Sequence, residues 1–144
     1  MNSYAAAQID KYKDRGVLID ANLAILYLVG TADIGLIGCQ KRTSKYTRDD
    51  FEKLSILIDS FDRTVTTPHV LTEISNIIPG DAEVKQVFKQ FIDLTHELFE
   101  TAKSVAGTTS FFPLGLADSI ILHVAQEGYL IVTDDGPLQQ FLND

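Results

Sequence analysis

The chain has 144 residues, 45% hydrophobic and 22% charged, with 20 acidic against 12 basic residues and a net charge of −8. That length supports one domain with a substantial core, and the composition is globular rather than disordered or fibrous. The acidic balance excludes a protein held on nucleic acid by bulk charge alone, and no apolar run approaches the ~18 residues of a membrane span.

The start, "MNSYAAAQIDKYKDRG", lacks the apolar centre of a signal peptide. The expected location is therefore cytoplasmic, and residues 1–15 precede the first predicted strand as an N-terminal extension. A lone cysteine, Cys39, excludes an internal disulfide framework and fits a reducing compartment. "GVLIDAN" (16–22) predicts a buried strand ending at Asp20. "LAILYLVG" is apolar on every side and predicts a buried helix stopping at Gly30. Residues 30–47 are expected as a loop excursion. Within it "QKRTSKYTR" (40–48) holds Lys41, Arg42, Lys45 and Arg48 with no acid among them.

"TRDDFEKLSILIDSF" predicts a helix opened by a capping box, Thr47 with Asp50. Its apolar stripe is Phe51, Leu54, Leu57, Ile58 and Phe61. "TVTTP" (64–68) is β-branched and predicts a short strand. Thr67 and Pro68 then suit the cap and first position of the next helix, which runs to the Pro79-Gly80 break. Residues 81–103 predict one long amphipathic helix on Val84, Val87, Phe88, Phe91, Leu94, Leu98 and Phe99. "SVAGTTSFFPLG" is a looser link to a helix over "LADSIILHVAQEG", closed by Gly128. "YLIVT" predicts the last strand and "PLQQFL" a closing helical turn.

Strands alternating with helices imply an α/β fold with a parallel sheet covered on both faces. In such sheets ligands gather at the carboxyl ends of the strands. Asp20 ends the first strand, and Asp134 and Asp135 end the last. Glu73 lies in the second turn of the helix after the second strand, and Asp118 in the first turn of the helix before the last. Each acid alone has an ordinary reading as a cap, a turn residue or a solvated side chain. Together they would repel one another, and clustered carboxylates take up protons or require cations. Oxygen ligands without Cys or His suit Mg2+ or Mn2+. A pair of such ions can clamp both oxygens of an in-line phosphoryl displacement. Next to such a site, the cations at 41–48 gain a role in holding a phosphate backbone. His69, His96 and His123 share no metal-ligand spacing, although His69 lies one helical turn from Glu73.

"LIDAN", "TPHVLTEISN", "GLADSIILHVAQEG" and "LIVTDDGPL" resemble the four acidic motifs of PIN-domain ribonucleases. That family includes the toxin nucleases of bacterial toxin–antitoxin pairs. The resemblance runs from about residue 16 to 142, in the expected order. It implies a single PIN-like three-layer sandwich over residues 1–144 and a Mg2+- or Mn2+-dependent endoribonuclease that leaves a 5′-phosphate. Asp20, Glu73, Asp118 and Asp135 match the catalytic, metal-binding acids. The Thr-x-Asp pattern selects Thr133 and Asp135, leaving Asp134 in the variable position beside the metal site. Asn22 matches a polar position that lines the site in relatives, and Thr133 and Ser119 are candidate hydroxyls supporting the acids. The resemblance implies an RNA substrate, held here by Lys41, Arg42, Lys45 and Arg48. It also brings an expected antitoxin partner and a homodimer, with no membrane. The alternative reading is a catalytically weak PIN-like module that binds RNA or protein. A phosphate-accepting receiver domain would need a late Lys, and no Lys or Arg follows Lys103.

Overall fold

A computed structural model describes residues 3–134 and Leu142. The expected closing turn at 137–142 and Asp135 lie outside the described residues, Leu142 excepted. Helix α1 (Ser3–Tyr12) occupies most of the N-terminal extension expected from sequence. It anchors through Ile9, buried against Val17 and Phe61. Strand β1 (Val17–Ile19) follows, every residue of it buried. Burial on both faces is what an uninterrupted apolar run in a parallel sheet requires.

Helix α2 (Ala21–Ala32) does not stop at Gly30. Gly30 is an interior residue whose missing side chain admits a neighbour. A Cβ there would lie 2.3 Å from the Phe51 ring. The glycine that reads as a terminator is thus a point of close helix–helix approach. Residues beyond α2 form a 3-10 turn (Ile34–Leu36) and successive turns rather than an open loop. They are pinned by Thr43, fully buried, whose hydroxyl donates to the Ile37 carbonyl at 2.6 Å.

Helix α3 (Arg48–Asp59) begins with the expected box: Thr47 and Asp50 each accept from the other's backbone N–H. Strand β2 (Val65–Thr66) leads into α4 (Pro68–Ile77), where the Thr67 hydroxyl accepts from Val70 N–H. The single long helix expected over 81–103 is instead three elements. Helix α5 (Ala82–Leu94) ends at Thr95, strand β3 (His96–Glu97) follows, and α6 (Ala102–Ala106) comes after a connection. Backbone pairing with β2 overrides the helical periodicity, with His96 N–H donating to the Thr64 carbonyl and Leu98 N–H to that of Thr66. Leu94 and Phe99, placed on the buried stripe by sequence, are 84% and 79% exposed. Helices α7 (Phe111–Leu114) and α8 (Leu116–Gln126) then lead to β4 (Leu130–Val132) through Gly128, whose φ of +97° suits the turn.

The fold is α/β with short parallel strand pairs. β1 pairs with β4, Val17 opposite Leu130 and Ile19 opposite Val132, and β2 pairs with β3. One parallel bridge between Val17 and Thr64 joins the pairs, giving the lateral order β4-β1-β2-β3. Helix α2 packs against α3, α4 and α5, while α8 packs against α4, α6 and α7. Leu18, Ile19, Ile25, Leu26, Leu28, Ile74 and Ile121 form the centre of the main core. Each such side chain contributes roughly 1.5–3 kcal/mol on burial.

Candidate active site

The register of β1 with β4 sets the central relationship. Asp20 N–H donates to the Val132 carbonyl at 3.1 Å, so the chain just past β1 runs beside Thr133 and Asp134. Asp20 also caps α2, its Oδ1 accepting from Leu23 N–H at 3.0 Å. Its Oδ2 accepts from the Thr133 hydroxyl. Asp20 is only 6% exposed. Burial pushes its carboxyl above the ordinary 3.8, and the charge of Asp134 adds to the rise. The Thr133 and Leu23 hydrogen bonds oppose it without reversing it.

Asp134 has the opposite electrostatic character. Burial would raise its carboxyl, but donation from the Tyr46 hydroxyl and Lys45 ammonium, together with the Lys45 charge, brings it below the ordinary value. Lys45 Nζ lies 3.1 Å from Asp134 Oδ2 and also sits over the Tyr46 ring, 5.0 Å from its centroid. The Tyr46 phenol is pushed well up, first by burial and then by its bond to Asp134 and the charges of Asp134, Asp20 and Asp50. Two neighbouring carboxylates are thus driven apart in proton affinity, the pattern by which acid and base roles separate at one site.

Glu73 and Asp118 share a cleft of about 660 Å³ where α4 packs on α8. Glu73 is exposed and Asp118 half-buried. His69 lines the same cleft, its buried Nδ1 without a hydrogen-bond partner among the described residues. Asn22 is exposed in the first turn of α2. Ser119 turns elsewhere: 2% exposed, it accepts from the Ser110 hydroxyl at 3.2 Å and lines a separate cavity of about 240 Å³.

Within the basic cluster Lys45 is committed to Asp134, and Arg48 to Glu52 at 3.3 Å. Lys41 and Arg42 are exposed, with no carboxylate partner among the described residues. Tyr46 is a donor to Asp134. Its link to the end of β4 spans 88 residues and carries no sequence signal.

Sequence reasoning also missed a cluster. Among the described residues, Glu100, His123 and Glu127 bring ligand atoms within 4.8 Å of one another. The available signal was the four-residue spacing of His123 and Glu127 on one helix face, which a search for His and Cys pairs passes over. No family model matches the chain, and neither does any curated protein or solved structure.

Proposed function

We propose that this chain is a Mg2+- or Mn2+-dependent endoribonuclease on a PIN-like three-layer sandwich, of the kind found among toxin nucleases, cutting RNA to leave a 5′-phosphate. The observation that carries the reading is the buried Asp20 carboxylate beside Thr133 and Asp134, at the carboxyl ends of adjacent parallel strands. Asp20, Glu73, Asp118 and Asp135 would hold the ions, with Asp134 beside them. The donor set is suited to this: it is all oxygen, and a desolvated carboxylate gains most from a cation. The chemistry such ions supply when bound is a more acidic attacking water and neutralised charge on the phosphoryl oxygens.

The chain's own residues orient and grip. Thr133 and Leu23 N–H fix both oxygens of Asp20, so its direction is set before substrate arrives. Lys41 and Arg42 offer charge to a phosphate backbone that the net −8 would otherwise repel. Incubation of end-labelled RNA with Mn2+ or with EDTA tests the proposal. Cleavage should require the metal and fall at least a hundredfold in Asp20→Asn and Asp118→Asn. Undiminished cleavage by folded Asp20→Asn would overturn it.

A second reading, an RNA-binding module with little turnover, draws on the commitment of Asp134 to Lys45 and Tyr46. A carboxylate neutralised by protein donors has less need of a metal. Retention of RNA in a mobility-shift assay, with no cleavage at any Mn2+ concentration, would select that reading.

A further inference from the structure

His123 and Glu127 project from the end of α8 toward Glu100, on the connection from β3 to α6. Glu100 Oε1 accepts from Thr101 N–H at 3.1 Å, which leaves Oε2 at 3.2 Å from His123 Nε2. Glu127 Oε1 lies 2.8 Å from the same nitrogen. Nε2 is sealed from solvent, yet neither oxygen is positioned to accept a hydrogen bond from it. Two carboxylates therefore flank an imidazole nitrogen without satisfying it, and their like charges repel across it.

We propose that Glu100, His123 and Glu127 bind a divalent transition metal, Zn2+ foremost, at a site separate from the strand-end acids. A proton on His123 would favour an oxygen along the N–H direction, whereas ligands of one cation lie beside each other around it. Ligands about 2.0–2.1 Å from a common ion are about 2.8–3.4 Å apart in octahedral or tetrahedral arrangements, and the two separations here are 2.8 and 3.2 Å. Two carboxylates also balance a dication fully, where a single proton would leave one negative charge.

The donor set selects the metal. One imidazole nitrogen with two carboxylates is the borderline mixture that Zn2+ takes, and Mg2+ prefers oxygen alone. His123 also borders the cavity of about 240 Å³ lined by Thr108, Ser110, Ser119 and Gln126. Bound there, the ion would clasp the β3–α6 connection to α8, the helix that carries Asp118. The site is independent of the nuclease reading.

Calorimetric titration of the EDTA-stripped full chain with Zn2+ tests the proposal, with imidazole NMR as a second readout. Wild type should bind Zn2+ at a site that shifts the His123 ring nitrogen resonances. Affinity should fall at least tenfold in His123→Gln and in Glu127→Gln, and stay within twofold in Asp20→Asn. The Glu127 side chain is 47% exposed, so its variant keeps the test open should His123→Gln fold poorly. Equal affinity in wild type and Glu127→Gln, unmoved His123 resonances, absence of Zn2+ binding, or loss of the site in Asp20→Asn would each overturn the proposal.

Discussion

The hydroxyl of Tyr46, in the basic segment, donates to the carboxylate of Asp134 at the end of β4. The contact fastens the segment over the strand end and holds Asp134 ionised. Tyr46→Phe should therefore cost about 1 kcal/mol at pH 7, the scale of a lost hydrogen bond to a partly solvated charge. The sign with pH follows from the lowered carboxyl. Its stabilisation is present above the ordinary 3.8 and is lost as pH falls through the lower folded value. Urea unfolding of both proteins should show the difference shrinking below pH 3.8. A constant difference would mean that the phenol acts by packing alone.

The same contact separates the adjacent acids in the proposed nuclease. Asp134 already has two protein donors, so Asp134→Asn should reduce RNA cleavage less than Asp135→Asn. Initial rates at saturating Mn2+ decide this. A larger loss at position 134 would shift the fourth acid by one residue.

Which features could be read from sequence follows from how local their causes are. The Thr47–Asp50 box and the Thr67 cap with Pro68 depend on atoms within four residues, and both occur as expected. Strand β1 was equally legible, because three consecutive buried apolar residues leave few alternatives. The break in residues 81–103 was not, because the helical stripe persists through Leu98 while the backbone of residues 96–98 pairs with β2. Asp20 was visible as a strand-end acid. Its burial, its bond to Thr133 and the commitment of Lys45 to Asp134 arise from register and long-range packing, which leave no periodic trace.

Gly30 offers a test of the packing of α2 against α3. A methyl group there would meet the Phe51 ring at 2.3 Å, well inside contact distance, and overpacking of this kind costs about 1–3 kcal/mol. Gly30→Ala should lower the melting temperature despite the better helix propensity of Ala. Phe51→Leu in the same chain should restore part of the loss, since the two changes share one contact. A stabilised single mutant would show that Phe51 can swing away freely.

Lys41 and Arg42 should contribute to RNA affinity more than Lys45 and Arg48, whose charges already face carboxylates. Lys41→Gln with Arg42→Gln should weaken binding and flatten its dependence on salt by up to about two counterions. Lys45→Gln with Arg48→Gln should change the salt slope less. Fluorescence anisotropy from low to moderate salt measures both, and equal slopes in all three proteins would return the cluster to ordinary surface charge.

Asp20 links stability to the proposed chemistry most directly. Its folded carboxyl titrates above 3.8, chiefly because burial penalises the charge. That rise already includes the favourable pull of Leu23 N–H and the Thr133 hydroxyl, so the ionised form is a net cost to the fold. The sign is the reverse of that for Asp134. The cost is absent below 3.8, grows as pH rises through the raised folded value, and is complete above it. Asp20→Asn keeps the shape and the capping oxygen. It should therefore stabilise the metal-free protein at pH 7 by roughly 1 kcal/mol, the scale of a single substitution, with the gain fading toward pH 3.8. Added Mn2+ should then stabilise wild type by mass action and the variant much less, so that their melting temperatures converge as the metal concentration rises. A variant that is less stable than wild type at pH 7 in EDTA, and that responds equally to Mn2+, would make Asp20 a structural cap and remove the basis for a metal site at the strand ends.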